Sequence, residues 1–79
     1  IDRSEMSSKR RARAVVRPRQ VAMYLAKVMT PRSYPEIGRK FGGRDHSTVI
    51  HAVRLVEGLR QQDSDMDNDV RALLRQLEA

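Results

Sequence analysis

The sequence predicts an all-α fold, a single compact helical domain without a sheet. Three observations lead there. Four stretches repeat their apolar residues at the period of a helix, and none alternates as a strand would. With 79 residues the chain has room for one domain and a small core. It contains no cysteine, so neither disulfides nor a thiolate zinc site can stand in for packed helices. A chain that starts at Ile1 rather than at methionine also reads as a fragment of something larger.

Residues 1–16 form a basic N-terminal segment with no sustained periodicity, in which Asp2 to Met6 fits a single turn at most. A helix is expected over 17–30. Pro18 suits its first turn, where the missing N–H has no helical partner anyway. Val21, Tyr24, Leu25 and Val28 follow at i, i+3, i+4 and i+7, one helical face. Met23 and Met29 read as core filler, and Thr30-Pro31 ends the helix.

Residues 33–62 carry a helix-turn-helix pattern. Ser33-Tyr34-Pro35-Glu36 is a capping box, in which Ser33 bonds the amide of Glu36 and Glu36 reaches back. It opens a short helix over 33–42 with Ile37 and Phe41 inward. Gly42-Gly43 stops that helix, because glycine takes the left-handed conformation of a helix end at little cost. Asp45 then caps a longer helix, 45–62, whose inward face is Val49, Ala52, Val53, Val56 and Leu59. Asp63 to Asn68 is an acidic turn leading to a last helix within 64–78, striped by Val70, Leu73, Leu74 and Leu77. Tyr24 and Phe41 fall at inward positions, so stacking on single-stranded bases is poorly supported.

Charge narrows the class of partner. Residues 1–54 hold 13 basic and 4 acidic side chains, whereas residues 55–79 hold 3 and 6. The first part therefore faces a polyanion and the second does not. No apolar run approaches the ~20 residues of a bilayer span, and no signal-peptide core is present, so a cytoplasmic location is expected. Catalysis finds no support. The phosphate-binding loop GxxxxGK[S/T] is absent. Asp45-His46-Ser47 has the letters of a triad, but neighbouring helical residues point about 100° apart and cannot relay a proton. His46 and His51 are five apart, not the i, i+4 pair of a helical zinc site, so no metal is expected.

The run Gly42-Gly43-Arg44-Asp45-His46-Ser47-Thr48 carries the sharpest signal. Polar side chains fill the first turn and apolar ones begin only at Val49. In a helix-turn-helix that turn enters the major groove. There a carboxylate accepts from cytosine N4, imidazole and hydroxyl groups meet base edges, and the Thr48 methyl packs on a thymine methyl. Arg44 adds a cation beside the helix N-terminus. Asp45 also reads as a plain cap, with Ser47 and Thr48 as ordinary first-turn residues. The loop Lys9-Arg10-Arg11-Ala12-Arg13 suits a narrow AT-rich minor groove or, for Lys9 and Arg10, a looser grip on phosphates.

The run IGRKFGGRDHSTVIHA at 37–52 closely resembles the signature of the C-terminal DNA-binding domain of the bacterial replication initiator family DnaA. SKRRARAVVRPRQVAMYLAK, 8–27, is similar to the same family's basic loop and following helix. The resemblance covers about residues 1–79. It implies a helix-turn-helix that binds short, asymmetric, AT-rich DnaA boxes in double-stranded DNA at the replication origin. By position it implies base contacts from Arg11 in the minor groove and from Pro35, Asp45, His46, Ser47 and Thr48. It implies phosphate contacts from Arg13, Arg19, Gln20, Lys27, Arg44 and His51.

It further implies a nucleoid-associated protein bound as one monomer per box. Self-assembly and ATP control would reside in an ATPase module outside these residues, with no cofactor in this fragment. Two positions depart from the pattern. Ser47 stands where many members have threonine, removing a methyl. Leu55 stands where the family often has Lys or Arg, and adjacent Arg54 points about 100° away. The alternatives are a dimeric helix-turn-helix transcription regulator using the Leu73/Leu74/Leu77 stripe, and a ribosomal RNA-binding protein.

Overall fold

The computed structural model describes the backbone of residues 3–78 and the side chains of residues 16–78. These residues form α1 (Arg3–Met29), α2 (Tyr34–Lys40), α3 (His46–Gln62) and α4 (Ser64–Glu78), with no strand among the described residues. Helix α3 is the hub and packs against each of the other three. It contributes Val49, Ala52, Val53 and Val56 to a core completed by Met23 and Tyr24 of α1, Ile37 of α2 and Val70 of α4. Val49 and Val56 are wholly buried, and each such side chain contributes about 1.5–3 kcal/mol.

The N-terminal third differs from the sequence expectation. The backbone is helical from Arg3, so Lys9–Arg13 is not a loop and Pro18 lies inside α1 rather than in its first turn. Residues 3–17 lack the apolar repeat on which the expectation relied. They also lack Gly and Pro, and ten of the fifteen are Arg, Ala, Glu, Met or Lys, good helix formers. Propensity therefore carries the helix where periodicity is silent. Pro18 removes one hydrogen bond from the ladder without ending it.

The remaining elements follow their local chemistry closely. Ser33 is the N-cap of α2, and both halves of the capping box form: Glu36 N–H to Ser33 Oγ and Ser33 N–H to Glu36 Oε1, each at 3.4 Å. The acidic stretch expected as a turn is instead the first turn of α4. Asp63 Oδ1 accepts from the amides of Asp65 and Met66 at 3.0 and 3.2 Å, capping that helix. Asp65 and Asp67 complement the positive end of its dipole.

Helical period selects a stripe but not how far along it a neighbour reaches, and four apolar residues show this. Val28, Met29, Leu73 and Leu77 share the predicted faces yet remain exposed. Leu74 and Phe41 are partly buried against the core.

A polar chain ties three helices together. Arg60 of α3 donates through Nη1 to Tyr24 Oη and through Nε to Asp67 Oδ1, both at 2.7 Å. Arg71 holds the other Asp67 oxygen at 2.9 Å. Tyr24 is therefore a core ring with its hydroxyl satisfied, as a buried tyrosine requires. No helix among the described residues is long and apolar enough to cross a membrane.

Candidate nucleic-acid interface

The turn between α2 and α3 sets the geometry. Gly42 and Gly43 have φ of 86° and 72°, the left-handed region that side chains avoid. Two backbone bonds close the reversal: Gly43 N–H to the Arg39 carbonyl at 3.3 Å, and Arg44 N–H to the Gly38 carbonyl at 2.8 Å. Gly38 permits the second, since a Cβ there would collide with the Arg44 carbonyl oxygen. Nothing in the sequence alone singled out Gly38, because its requirement arises from a contact six residues away.

The chain leaves this turn with Asp45 at the N-cap of α3, in extended conformation, and then enters the helix at His46. Asp45, His46, Ser47 and Thr48 are all exposed, and Val49 behind them is wholly buried. Asp45 occupies the capping position, but its carboxylate makes no capping bond. The plain-cap reading of that side chain therefore fails. Its Oδ1 lies instead 2.9 Å from His46 Nδ1, with both side chains more than half exposed. Thr48 N–H bonds the Asp45 backbone carbonyl at 3.0 Å.

Farther along α3, Ser47, His51 and Arg54 recur at i, i+4 and i+7 and share one exposed stripe. Arg54 does not share the direction of Leu55, which is partly buried, so it does not stand in for a cation at position 55. The signal that finds it is its spacing from His51.

The remaining candidate residues surround this tip in different ways. Pro35 is exposed in the first turn of α2, and Arg44 is exposed just ahead of α3, as are Arg39 and Lys40 at the end of α2. Arg19 and Gln20 of α1 are partly buried. Lys27 is engaged at home: Nζ donates to the Arg32 carbonyl at 3.3 Å and sits 4.5 Å from the centre of the Tyr34 ring. An ammonium over an aromatic face is attracted by the ring's quadrupole, so Lys27 joins the end of α1 to the start of α2. It retains further N–H donors. The side chains of Arg11 and Arg13 lie outside the described residues. No group of three or more His, Cys, Asp or Glu residues suited to a metal occurs among the described residues.

A family model described as the bacterial dnaA protein helix-turn-helix matches residues 1–56. The chain belongs to that family. Its relatives include chromosomal replication initiator proteins DnaA from three organisms. That of Sphingopyxis alaskensis is 74% identical over 77 residues, covering 98% of this chain and 17% of the relative. That of Zymomonas mobilis is 65% identical over 75 residues, covering 95% and 16%. That of Rhodopseudomonas palustris strain TIE-1 is 60% identical over 78 residues, covering 99% and 16%. The chain thus spans about a sixth of the length of the curated relatives it matches. Within the DnaA helix-turn-helix, the matched span takes in α1, α2 and the first eleven residues of α3, so it includes the whole exposed tip.

Proposed function

We propose that this chain is a DNA-binding module of a bacterial replication initiator, seating the first turn of α3 in the major groove of DnaA boxes at the origin. One observation carries the reading. Four consecutive polar side chains, Asp45 to Thr48, stand exposed at a helix N-terminus directly ahead of a buried valine. Exposed polar groups are ordinary at a helix start, but the Asp45 carboxylate makes no capping bond there, and a groove offers each of the four a partner.

In this reading Asp45 accepts from a base amino group, His46 and Ser47 meet neighbouring edges, and the Thr48 methyl packs on thymine. Pro35 touches the DNA from α2, and Arg11 enters the minor groove. Arg13, Arg19, Gln20, Lys27, Arg44 and His51 hold phosphates, and Arg54, on the His51 stripe, joins them. Lys27 reaches a phosphate without leaving Tyr34, since its ammonium has three donors. One monomer binds each box, and nucleotide control and self-assembly belong to the ATPase module of the longer protein, in the cytoplasm at the nucleoid. A dimeric regulator is the weaker reading, because Leu74, central to the stripe it would use, packs against the core.

Titrating the chain against a DnaA-box duplex, a scrambled duplex and a structured RNA, at two salt concentrations, tests this. The box should bind at least a thousandfold tighter than the scrambled duplex, about the lower end for specific recognition. Equal affinity for all three would reduce the chain to a nonspecific polyanion binder, and preference for the RNA would favour the ribosomal alternative.

A further inference from the structure

We propose that Tyr34 is a positioning residue for DNA binding: its ring, anchored on the core, holds the Lys27 ammonium ready for a backbone phosphate before DNA arrives. The inference rests on the reading of Lys27 as a phosphate contact and gives a role to a neighbour which that reading leaves idle.

Lys27 carries its charge on a flexible four-carbon stem, so an unrestrained ammonium samples many positions. Here two partners confine it. Nζ donates to the Arg32 carbonyl at 3.3 Å and lies 4.5 Å from the centre of the Tyr34 ring. The ring is itself fixed, since Tyr34 is partly buried and packs against the hydrophobic core. Restraint therefore passes from the core to the ring and from the ring to the charge. Tyr34 directly precedes Pro35, the α2 residue assigned to the DNA, and so ties the charge to that end of the interface.

The restraint does not use up the ammonium. One N–H serves the Arg32 carbonyl and one side faces the ring, which leaves a donor of the three for a phosphate. A partly exposed pair of this kind adds little to folding. Its larger effect falls on binding. Immobilising a long side chain on contact weakens affinity by about two- to tenfold, and much of that ordering is already present in the free chain. The attraction comes from the face of the ring and not from the hydroxyl. Phenylalanine should therefore serve as well as tyrosine, whereas leucine, apolar but without a face, should not.

A double-mutant cycle tests the pairing. The chain, Tyr34→Leu, Tyr34→Phe, Lys27→Met and the double variant of Tyr34→Leu with Lys27→Met are titrated with a DnaA-box and a scrambled duplex. Proton NMR follows the ε-methylene of Lys27. Tyr34→Leu should weaken both duplexes about threefold while Lys27 is present, since a phosphate contact carries no sequence. In the Lys27→Met background it should change neither, because the cycle cancels whatever leucine does to packing. Tyr34→Phe should bind like the unaltered chain. The ε-methylene protons should lie upfield, over the ring, in the unaltered chain and in Tyr34→Phe, and return to their ordinary position in Tyr34→Leu. Equal losses from Tyr34→Leu in both backgrounds, or no upfield shift in the unaltered chain, would overturn the positioning role while leaving Lys27 on a phosphate. Full affinity in Lys27→Met would overturn the phosphate reading of Lys27 as well.

Discussion

The backbone amide of Arg44 donates to the Gly38 carbonyl at 2.8 Å, across an approach so close that position 38 has no room for a Cβ. This contact fixes how the segment before α3 crosses α2, and hence where Asp45 to Thr48 emerge. Two effects oppose each other in Gly38→Ala. Helix propensity alone favours alanine by up to about 1 kcal/mol. The collision is with backbone, which cannot swing aside, and overpacking of this kind costs about 1–3 kcal/mol or more. The clash should win: Gly38→Ala should unfold at lower urea and bind the box less tightly. A variant more stable than the parent would mean the turn is built differently.

The Tyr24–Arg60–Asp67–Arg71 chain gives stability a pH dependence. The Asp67 carboxyl is held below its ordinary range, first by its bond from Arg60, and Glu36 is held down first by the Ser33 backbone amide. A carboxyl lowered in the folded state stabilises fully above its ordinary value, near 4, and that contribution disappears as pH falls through it toward the lowered one. Thermal unfolding should therefore be insensitive to pH near neutrality and fall off below about pH 4. Asp67→Asn should lower the neutral-pH midpoint and shrink the acid drop; an unchanged acid profile would show that the Arg60 bond contributes nothing.

The register of α4 makes a simple contrast. Val70 is buried and Leu77 is exposed, although both belong to one helical stripe. Val70→Ala should cost about 1–3 kcal/mol in chemical denaturation, as buried truncations do. Leu77→Ala should stay within about 0.5 kcal/mol. Equal costs would place the stripe as a whole in the core.

Phosphate contacts are countable through salt. If about six phosphates are neutralised, the logarithm of affinity should fall against the logarithm of salt with a slope near −5, about −0.9 per contact. Arg54→Ala should flatten that slope by about one contact and weaken box and scrambled duplexes alike. Loss confined to the box would make Arg54 a base reader, and no loss would remove it from the interface.

Much of this was legible in the sequence because it depends on near neighbours. The capping box at Ser33 and Glu36, the glycine stop at 42–43 and the polar first turn before Val49 are fixed by side chains within a few residues. What eluded it depends on distance or on silence. Gly38 is needed only because Arg44 folds back over it. The helix through Lys9–Arg13 has no apolar repeat to announce it, only propensity. Asp45 occupies the predicted capping position but turns to His46, and position does not fix which acceptor bond a side chain makes. Leu77 shows the same limit in packing, sharing a face with Val70 yet lying beyond what the core covers.

Amide shift mapping during titration with a DnaA-box duplex tests the central proposal most directly, since it reads which part of the chain meets DNA. The largest changes should fall on Arg44 to Thr48 and on His51, with smaller ones at the start of α2 and little along α4. Changes concentrated on α4, with Asp45 to Thr48 undisturbed, would contradict the interface outright.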